Sequence, residues 1–283
     1  MSSRLLPDSG QPLRAPRNDV VEIFMTATTL ITGASGGIGE ELAYCAAKAG
    51  RKLVLAARSE SELARVAGRI EAEGHDRPEI FALDLTEPDA GERLADFLKG
   101  KSLEVSELVN NAGWGPVGQT ALLAREDQLN AIDLNIRALT DLTLRFLPGI
   151  IAARGGVLNV ASTAAFQPGP FMSVYYASKS YVLSFSEALS YELRGRVRVT
   201  ALCPGPVLTG FQKRSNMGKT RISQLPAMLP GPVAAAGWRG FEAGKRVVIP
   251  GLMNKFTAFF APRVPRRPVL AIAGYLTSHR RDT

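Results

Sequence analysis

Short apolar, β-branched runs alternate along the chain with longer stretches whose apolar residues recur every three or four positions. The runs Thr28–Thr32, Lys52–Ala56, Glu79–Ala82, Glu107–Asn110, Gly156–Val160, Val197–Cys203 and Arg246–Ile249 read as strands. Helical patterns lie between them: Gly39–Ala49, Ser59–Glu73, Gly91–Gly100, Glu126–Ala153, Tyr175–Leu193 and Val233–Gly244. Such alternation implies right-handed crossovers and a parallel sheet with helices on both faces. Apolar strands such as Val197–Leu202 suit burial on both faces. The pattern predicts one α/β domain, a doubly wound parallel sheet of about seven strands.

Two stretches fall outside this pattern. Residues 1–24 are rich in Pro, Arg and Ser and lack periodicity and the apolar core of a signal peptide. They read as a flexible arm or as sequence upstream of the true start, since Met25 directly precedes the first strand. The core then runs over 25–250, and 251–283 form a basic, partly apolar extension. From Lys245 on, eight cations (Lys245, Arg246, Lys255, Arg263, Arg266, Arg267, Arg280 and Arg281) face one acid, Asp282, a net +7 of the chain's formal +8. Leu252, Met253, Phe256, Phe259, Phe260 and the run Val269–Leu276 are interleaved with them. That mixture reads first as a solvated rim over a subunit contact or substrate lid, with contact with a membrane surface or an acidic partner as the other reading. Nucleic acid is not expected, because no recognition motif accompanies the charge.

The remaining composition narrows the class. The chain has 283 residues and 46% apolar content, enough for one large core. Cys45 and Cys203 stand far apart in apolar contexts, which points to a reducing, cytoplasmic compartment rather than a disulfide scaffold. Two histidines and two cysteines without ligand spacing argue against a metal site. No apolar run reaches the roughly 18 residues of a spanning helix.

Two motifs carry chemistry. Thr32-Gly33-Ala34-Ser35-Gly36-Gly37-Ile38-Gly39 follows the first strand and opens the first helix. Glycines there let backbone approach a diphosphate, and the helix N-terminus offers free N–H groups and the positive dipole end. The other is Tyr175-Tyr176-Ala177-Ser178-Lys179, thirteen residues after Ser162. Tyr175 and Lys179 lie four apart, one turn of helix, so the ammonium is expected to lower the phenol pKa toward working pH. Tyr176 is only three residues from Lys179 and is the less suited of the two.

With these motifs the chain resembles the short-chain dehydrogenase/reductase family from about Thr26 to about Phe211. The family's glycine pattern falls on Thr32, Gly33, Gly37 and Gly39, its Asn-Asn-Ala-Gly motif on Asn110, Asn111, Ala112 and Gly113, and its Pro-Gly motif on Pro204 and Gly205. The resemblance implies a Rossmann-type fold and a catalytic set of Asn135, Ser162, Tyr175 and Lys179. In that set Tyr175 exchanges a proton with the substrate oxygen and Ser162 orients that oxygen. Lys179 also binds the nicotinamide ribose, and Asn135 holds a water leading to solvent. Gly33, Ser35, Gly37, Ile38, Gly39, Asp84, Leu85, Asn111, Ala112, Gly113, Pro204, Gly205, Val207 and Thr209 are implied cofactor contacts. Asn111 is expected to be mainly structural, and Asp84 has an alternative as a turn or N-cap carboxylate. The implied partners are a small carbonyl or alcohol substrate and further copies of the chain, as a homodimer or homotetramer.

Cofactor choice turns on the end of the second strand. Ala57 stands where NAD-preferring members carry Asp, and Arg58 follows it. A guanidinium there suits a 2′-phosphate, so NADP(H) is expected over NAD(H). The substrate should meet a lid over about 210–232 together with Ala164–Ser173. Phe166, Phe171, Met172, Phe211, Met217 and Met228 in these segments suit a hydrophobic carbonyl. Two other readings stay open: a non-catalytic NADP(H)-binding sensor or scaffold, and an acyl- or steroid-type reductase docked on a membrane surface by its tail.

Overall fold

The computed structural model describes residues 25–278, apart from the side chains of Lys213 and Lys219. The reading of residues 1–24 and the cations Arg280 and Arg281 lie outside the described residues. All seven expected strands form: β1 (Thr26–Thr32), β2 (Leu53–Ala57), β3 (Glu79–Ala82), β4 (Leu103–Asn110), β5 (Gly156–Val160), β6 (Arg198–Leu202) and β7 (Val247–Val248). They make one parallel sheet in the order β3-β2-β1-β4-β5-β6-β7.

Consecutive strand residues point to opposite faces, and each face has its own apolar layer. Helices α1 (Gly37–Lys48), α2 (Glu60–Ala72), α3 (Ala90–Gly100), α5 (Leu139–Ala152), α6 (Ser173–Glu192) and α8 (Pro230–Glu242) cover the sheet. Ile31, Leu55, Val109, Leu158 and Leu202 pack against Leu42 of α1, Leu63 of α2 and Phe241 of α8. Their neighbours Leu30, Val54, Leu108, Val157 and Val199 pack against Leu94 of α3, Leu142 of α5 and Leu189 of α6. Away from the carboxyl ends of the strands, buried Glu107 of β4 ties the sheet together. It accepts from Arg51 Nε at 2.9 Å, Arg198 Nη2 at 2.7 Å and Thr29 Oγ1 at 2.8 Å.

The structure departs from the hydrophobic pattern in two places. The expected single helix Glu126–Ala153 is divided into α4 (Arg125–Ile132), a π-helical turn over Asp133–Ala138, and α5. A π turn widens the helix by one residue and re-aims the side chains on it, and Asn135 lies on this turn. The extension after 250 holds two helices that periodicity did not reveal, α9 (Leu252–Phe260) and α10 (Arg266–Thr277). Between β6 and α8 runs an irregular lid with one short turn of α-helix, α7 (Phe211–Arg214), and two 3₁₀ turns, Met217–Lys219 and Ile222–Gln224. A bridge between Val207 and Met228 ties the lid at its base, reinforced by Leu208 N–H to Met228 O at 2.9 Å.

Candidate active site

Strand order reverses on either side of β1, whose neighbours are β2 and β4, and such a switch opens a crevice beyond the strand ends. The turn Gly33–Gly36 leads from β1 into α1 there. No side chain caps α1, whose N-cap is Gly36, so its first N–H groups remain available to an anion. Gly37 has φ +61°, and a Cβ on it would lie 2.9 Å from Thr209 Cγ2. The turn is therefore closed against the loop that follows β6. Ile38 packs into the core beneath it.

Asn111 and Ala112, just past β4, lock β4 to β1. Both N–H groups donate to Thr32 Oγ1 at 3.1 Å, and Asn111 Nδ2 donates to the carbonyls of Thr32 and Gly33 at 3.0 Å. Asn135 reaches from the π turn to the loop after Gly113. Its Nδ2 donates to Trp114 O at 2.7 Å and Ser178 Oγ at 2.9 Å, and its Oδ1 accepts from Trp114 N at 3.0 Å. Gly113 is approached from two sides: a Cβ there would lie 3.1 Å from Lys179 Nζ and 3.2 Å from Asn135 Oδ1.

Ser162 ends β5. Its Oγ accepts from Ala164 N–H at 3.1 Å and faces Pro204 O at 3.4 Å. Tyr175 and Lys179 stand one turn apart in α6, with Lys179 Nζ 5.9 Å from the Tyr175 ring centroid. Lys179 is buried and donates to Val160 O at 2.8 Å. Burial pushes its pKa down to about 8. Burial likewise pushes the Tyr175 phenol up to about 12, and the Ser162 hydroxyl only partly offsets this. The expected lowering of the Tyr175 pKa by Lys179 is thus not the outcome. The ammonium is spent on a backbone carbonyl, and desolvation of the phenolate outweighs the attraction between the two. Tyr176 is buried in a cluster with Val117, Ala164 and Met172, on which the Tyr175 ring also packs, the two rings 6.1 Å apart.

The lid closes over Tyr175. The Phe211 ring lies 5.3 Å from the Tyr175 ring, and Met217 packs on the same cluster. The Thr209 hydroxyl accepts from Phe211 N–H at 3.3 Å and so starts the lid helix. Val207 is buried in the core, and Gly205 lies against Asn254 of α9. At the far end of the crevice Arg58 is largely exposed, its Nη1 3.7 Å from Asp84 Oδ2. Asp84 takes the turn role, its Oδ1 accepting from Thr86 N–H at 3.0 Å and Thr86 Oγ1 at 2.8 Å. Leu85 turns its side chain into the core. Arg65, next to the carbonyl of Ser35, is neutralised by Glu40 and Glu62.

Arg214 of the lid has its pKa lowered by burial and by the charge of Arg58. The charge of Arg58 is thus felt at Arg214, and a positive potential from two cations favours an anion. Arg214 lies four residues after Gly210 on the lid, and nothing in its local pattern marks it. Among the described residues no group of three or more His, Cys, Asp and Glu side chains is placed to hold a metal ion.

A doubly wound parallel sheet with a glycine turn at its switch point and an uncapped helix start defines a dinucleotide-binding α/β protein. The family model for short chain dehydrogenase matches residues 27–220, and the chain belongs to that family. It is 34% identical over 192 residues to serine 3-dehydrogenase of Agrobacterium fabrum (strain C58), covering 66% of this chain and 74% of that one. It is 33% identical over 198 residues to 17-beta-hydroxysteroid dehydrogenase type 3 of Mus musculus, covering 69% of this chain and 64% of the relative. A short-chain dehydrogenase from Sphingobium yanoikuyae in complex with NADPH superposes with a TM-score of 0.74 at 30% identity, covering 84% of this chain and 94% of that one. A family member from Burkholderia phymatum in complex with NAD also gives 0.74, at 26% identity, covering 84% and 93%. The matched region thus spans less than two thirds of the steroid dehydrogenase's own length.

Proposed function

We propose that the chain is an NADP(H)-dependent oxidoreductase interconverting a carbonyl and a secondary alcohol on a hydrophobic substrate. The observation that carries this is the convergence of Ser162, Tyr175 and Lys179 under Phe211 and Met217, beside an uncapped helix start. The nicotinamide cofactor, when bound, supplies or accepts the hydride. The turn Gly33–Gly39 would hold its diphosphate, and Asp84, Leu85, Ala112, Gly113, Pro204, Gly205, Val207 and Thr209 would flank the rest. Arg58, with Ser35 and Arg214, would take the 2′-phosphate, since Ala57 presents no carboxylate to repel it.

Tyr175 has a pKa of about 12 and is therefore protonated at neutral pH. In the reductive direction it donates that proton to the substrate oxygen while Ser162 donates a hydrogen bond to the same atom. Lys179 would hold the ribose hydroxyls, and its ammonium, one helical turn from Tyr175, favours the phenolate left when the proton has passed to the substrate oxygen. Asn135 fixes the Trp114 backbone and keeps one Oδ1 lone pair free for a water leading to Lys179. The apolar lid supports a hydrophobic substrate. Relatives named for serine and for a steroid show how wide a range this frame serves.

We also read the protein as a cytoplasmic homodimer or homotetramer. Leu144 of α5 and Tyr181 and Tyr191 of α6 are exposed on the outer helices, where a second copy would cover them.

The test compares kcat/KM for NADPH and NADH over a panel of apolar ketones. Wild type should prefer NADPH. Arg58→Ala should weaken NADPH by about ten- to a hundredfold, the range for one charge-assisted contact, and leave NADH nearly unchanged. A wild-type preference for NADH, or an equal loss with both cofactors, would refute the NADP assignment.

A further inference from the structure

Of the two helices of the extension, α9 carries nearly all its apolar residues, and α10 part of them, on the side away from the protein. In α9 only Ala258 is buried, while Leu252, Met253, Phe256, Phe259 and Phe260 remain 84, 75, 58, 54 and 42% exposed. At about 100° per residue these five occupy the side opposite Ala258. In α10 the buried residues are Val269, Ala273 and Thr277, whereas Ile272 and Tyr275 are 62 and 63% exposed. Single exposed apolar side chains are ordinary; a continuous aromatic face is not. Here the rings touch, with Phe256 and Phe259 4.2 and 5.1 Å from Phe260.

Cations rim this face and acids are missing from it. Lys255, Arg263, Arg266 and Arg267 are exposed, and no Asp or Glu occurs between Glu242 and Asp282. The Arg263 guanidinium lies 3.8 Å over the Phe259 ring. No described helix is long and apolar enough to cross a membrane.

We propose that α9 and α10 dock the protein on an anionic lipid surface, with the apolar face of α9 in the headgroup–acyl boundary and the cations among the phosphates. Short helices with an outward apolar face and a basic rim suit the plane of an interface. A second copy is the poorer occupant: a two-fold would set cations against cations with no acid to offset them.

The docking helices also border the candidate site. Asn254 of α9 lies against Gly205. The Thr277 hydroxyl of α10 donates to Pro170 O at 2.6 Å, just before α6. Arg221 of the lid donates to Ser278 Oγ at 2.8 Å and sits 4.4 Å over the Tyr275 ring. A lipid surface held by these helices would lie next to the lid. An apolar substrate could then pass under Phe211 from the bilayer; this clause alone rests on the proposed reaction.

The full chain is sedimented with vesicles of phosphatidylcholine alone and with added phosphatidylserine, at low and high salt. NADPH binding is followed by fluorescence in the same samples. Wild type should sediment with the anionic vesicles at low salt and be released at high salt. Phe256→Ser with Phe259→Ser should cut vesicle binding about tenfold or more, as should Arg263→Glu with Arg266→Glu. Both variants alter outward-facing residues and should keep NADPH affinity.

No sedimentation of wild type with anionic vesicles would overturn the proposal. So would full binding by the serine variant, which would leave charge adsorption alone. A wild-type dimer in light scattering that the serine variant dissociates, with no vesicle binding, would assign the face to a second copy. Vesicle binding without NADPH binding would instead count against the proposed function and leave the docking intact.

Discussion

Removal of the Tyr175 hydroxyl separates the proposed acid from its neighbour. At a pKa of about 12, roughly one Tyr175 in 10⁵ is ionised at pH 7. Nearly every molecule is then competent to give a proton, and very few to take one. Tyr175→Phe should therefore lower kcat for ketone reduction by about 10²–10⁴-fold, the usual weight of a positioned general acid, or about 2.7–5.4 kcal/mol of barrier. The ring and its contact with Phe211 survive the change, so NADPH affinity should shift by no more than about threefold, under 0.7 kcal/mol.

Tyr176→Phe should leave kcat within about twofold. The ring of Tyr176 is held by Val117, Ala164 and Met172, and phenylalanine keeps those contacts. The wild-type oxidative rate should rise as pH increases above neutrality, because the phenolate population grows tenfold per unit. The assay is steady-state reduction with NADPH, with cofactor affinity measured separately by fluorescence. Tyr175→Phe retaining more than about a tenth of wild-type kcat while Tyr176→Phe loses two decades would reverse the assignment.

Lys179 makes a prediction about stability. Its folded pKa of about 8 lies below the ordinary lysine value of 10.5, so between these limits the unfolded chain binds more protons and the contribution to stability rises with pH. Relative to Lys179→Met, wild type should gain up to about 1.4 kcal/mol per pH unit in that window, read by denaturant unfolding; a flat difference would refute the burial reading. Glu107→Ala should cost about 1–3 kcal/mol, since it removes the buried acceptor shared by Arg51, Arg198 and Thr29 while Glu242 still pairs with both guanidiniums, and calorimetry showing no drop in Tm would contradict this. Light scattering at micromolar concentration should report a dimer or tetramer, and a monomer would count against the outer faces of α5 and α6 as contacts.

The seven strands and the helices that cover the sheet were legible because their signals are local. Period-2 and period-3.6 burial is written into each segment, and the long-range pairing rules leave few ways to assemble it. The glycine turn, Ser162, Tyr175 and Lys179 were legible for the same reason, since each follows directly from a strand end or a helix turn. Four matters depended on neighbours distant in sequence. Asn135 sits on a π turn whose side chain is fixed by Trp114, and nothing within 126–153 announces that break. The direction of the Tyr175 shift depends on how deeply the site excludes water and on Val160 O capturing Lys179, not on helical spacing. Arg214 acquires its surroundings only when the lid folds over and brings it toward Arg58. Helices α9 and α10 escaped the pattern because apolar residues lie outward in α9 and on both sides of α10. A hydrophobic stripe identifies a helix by the core it buries against, and here the protein offers no core on that side.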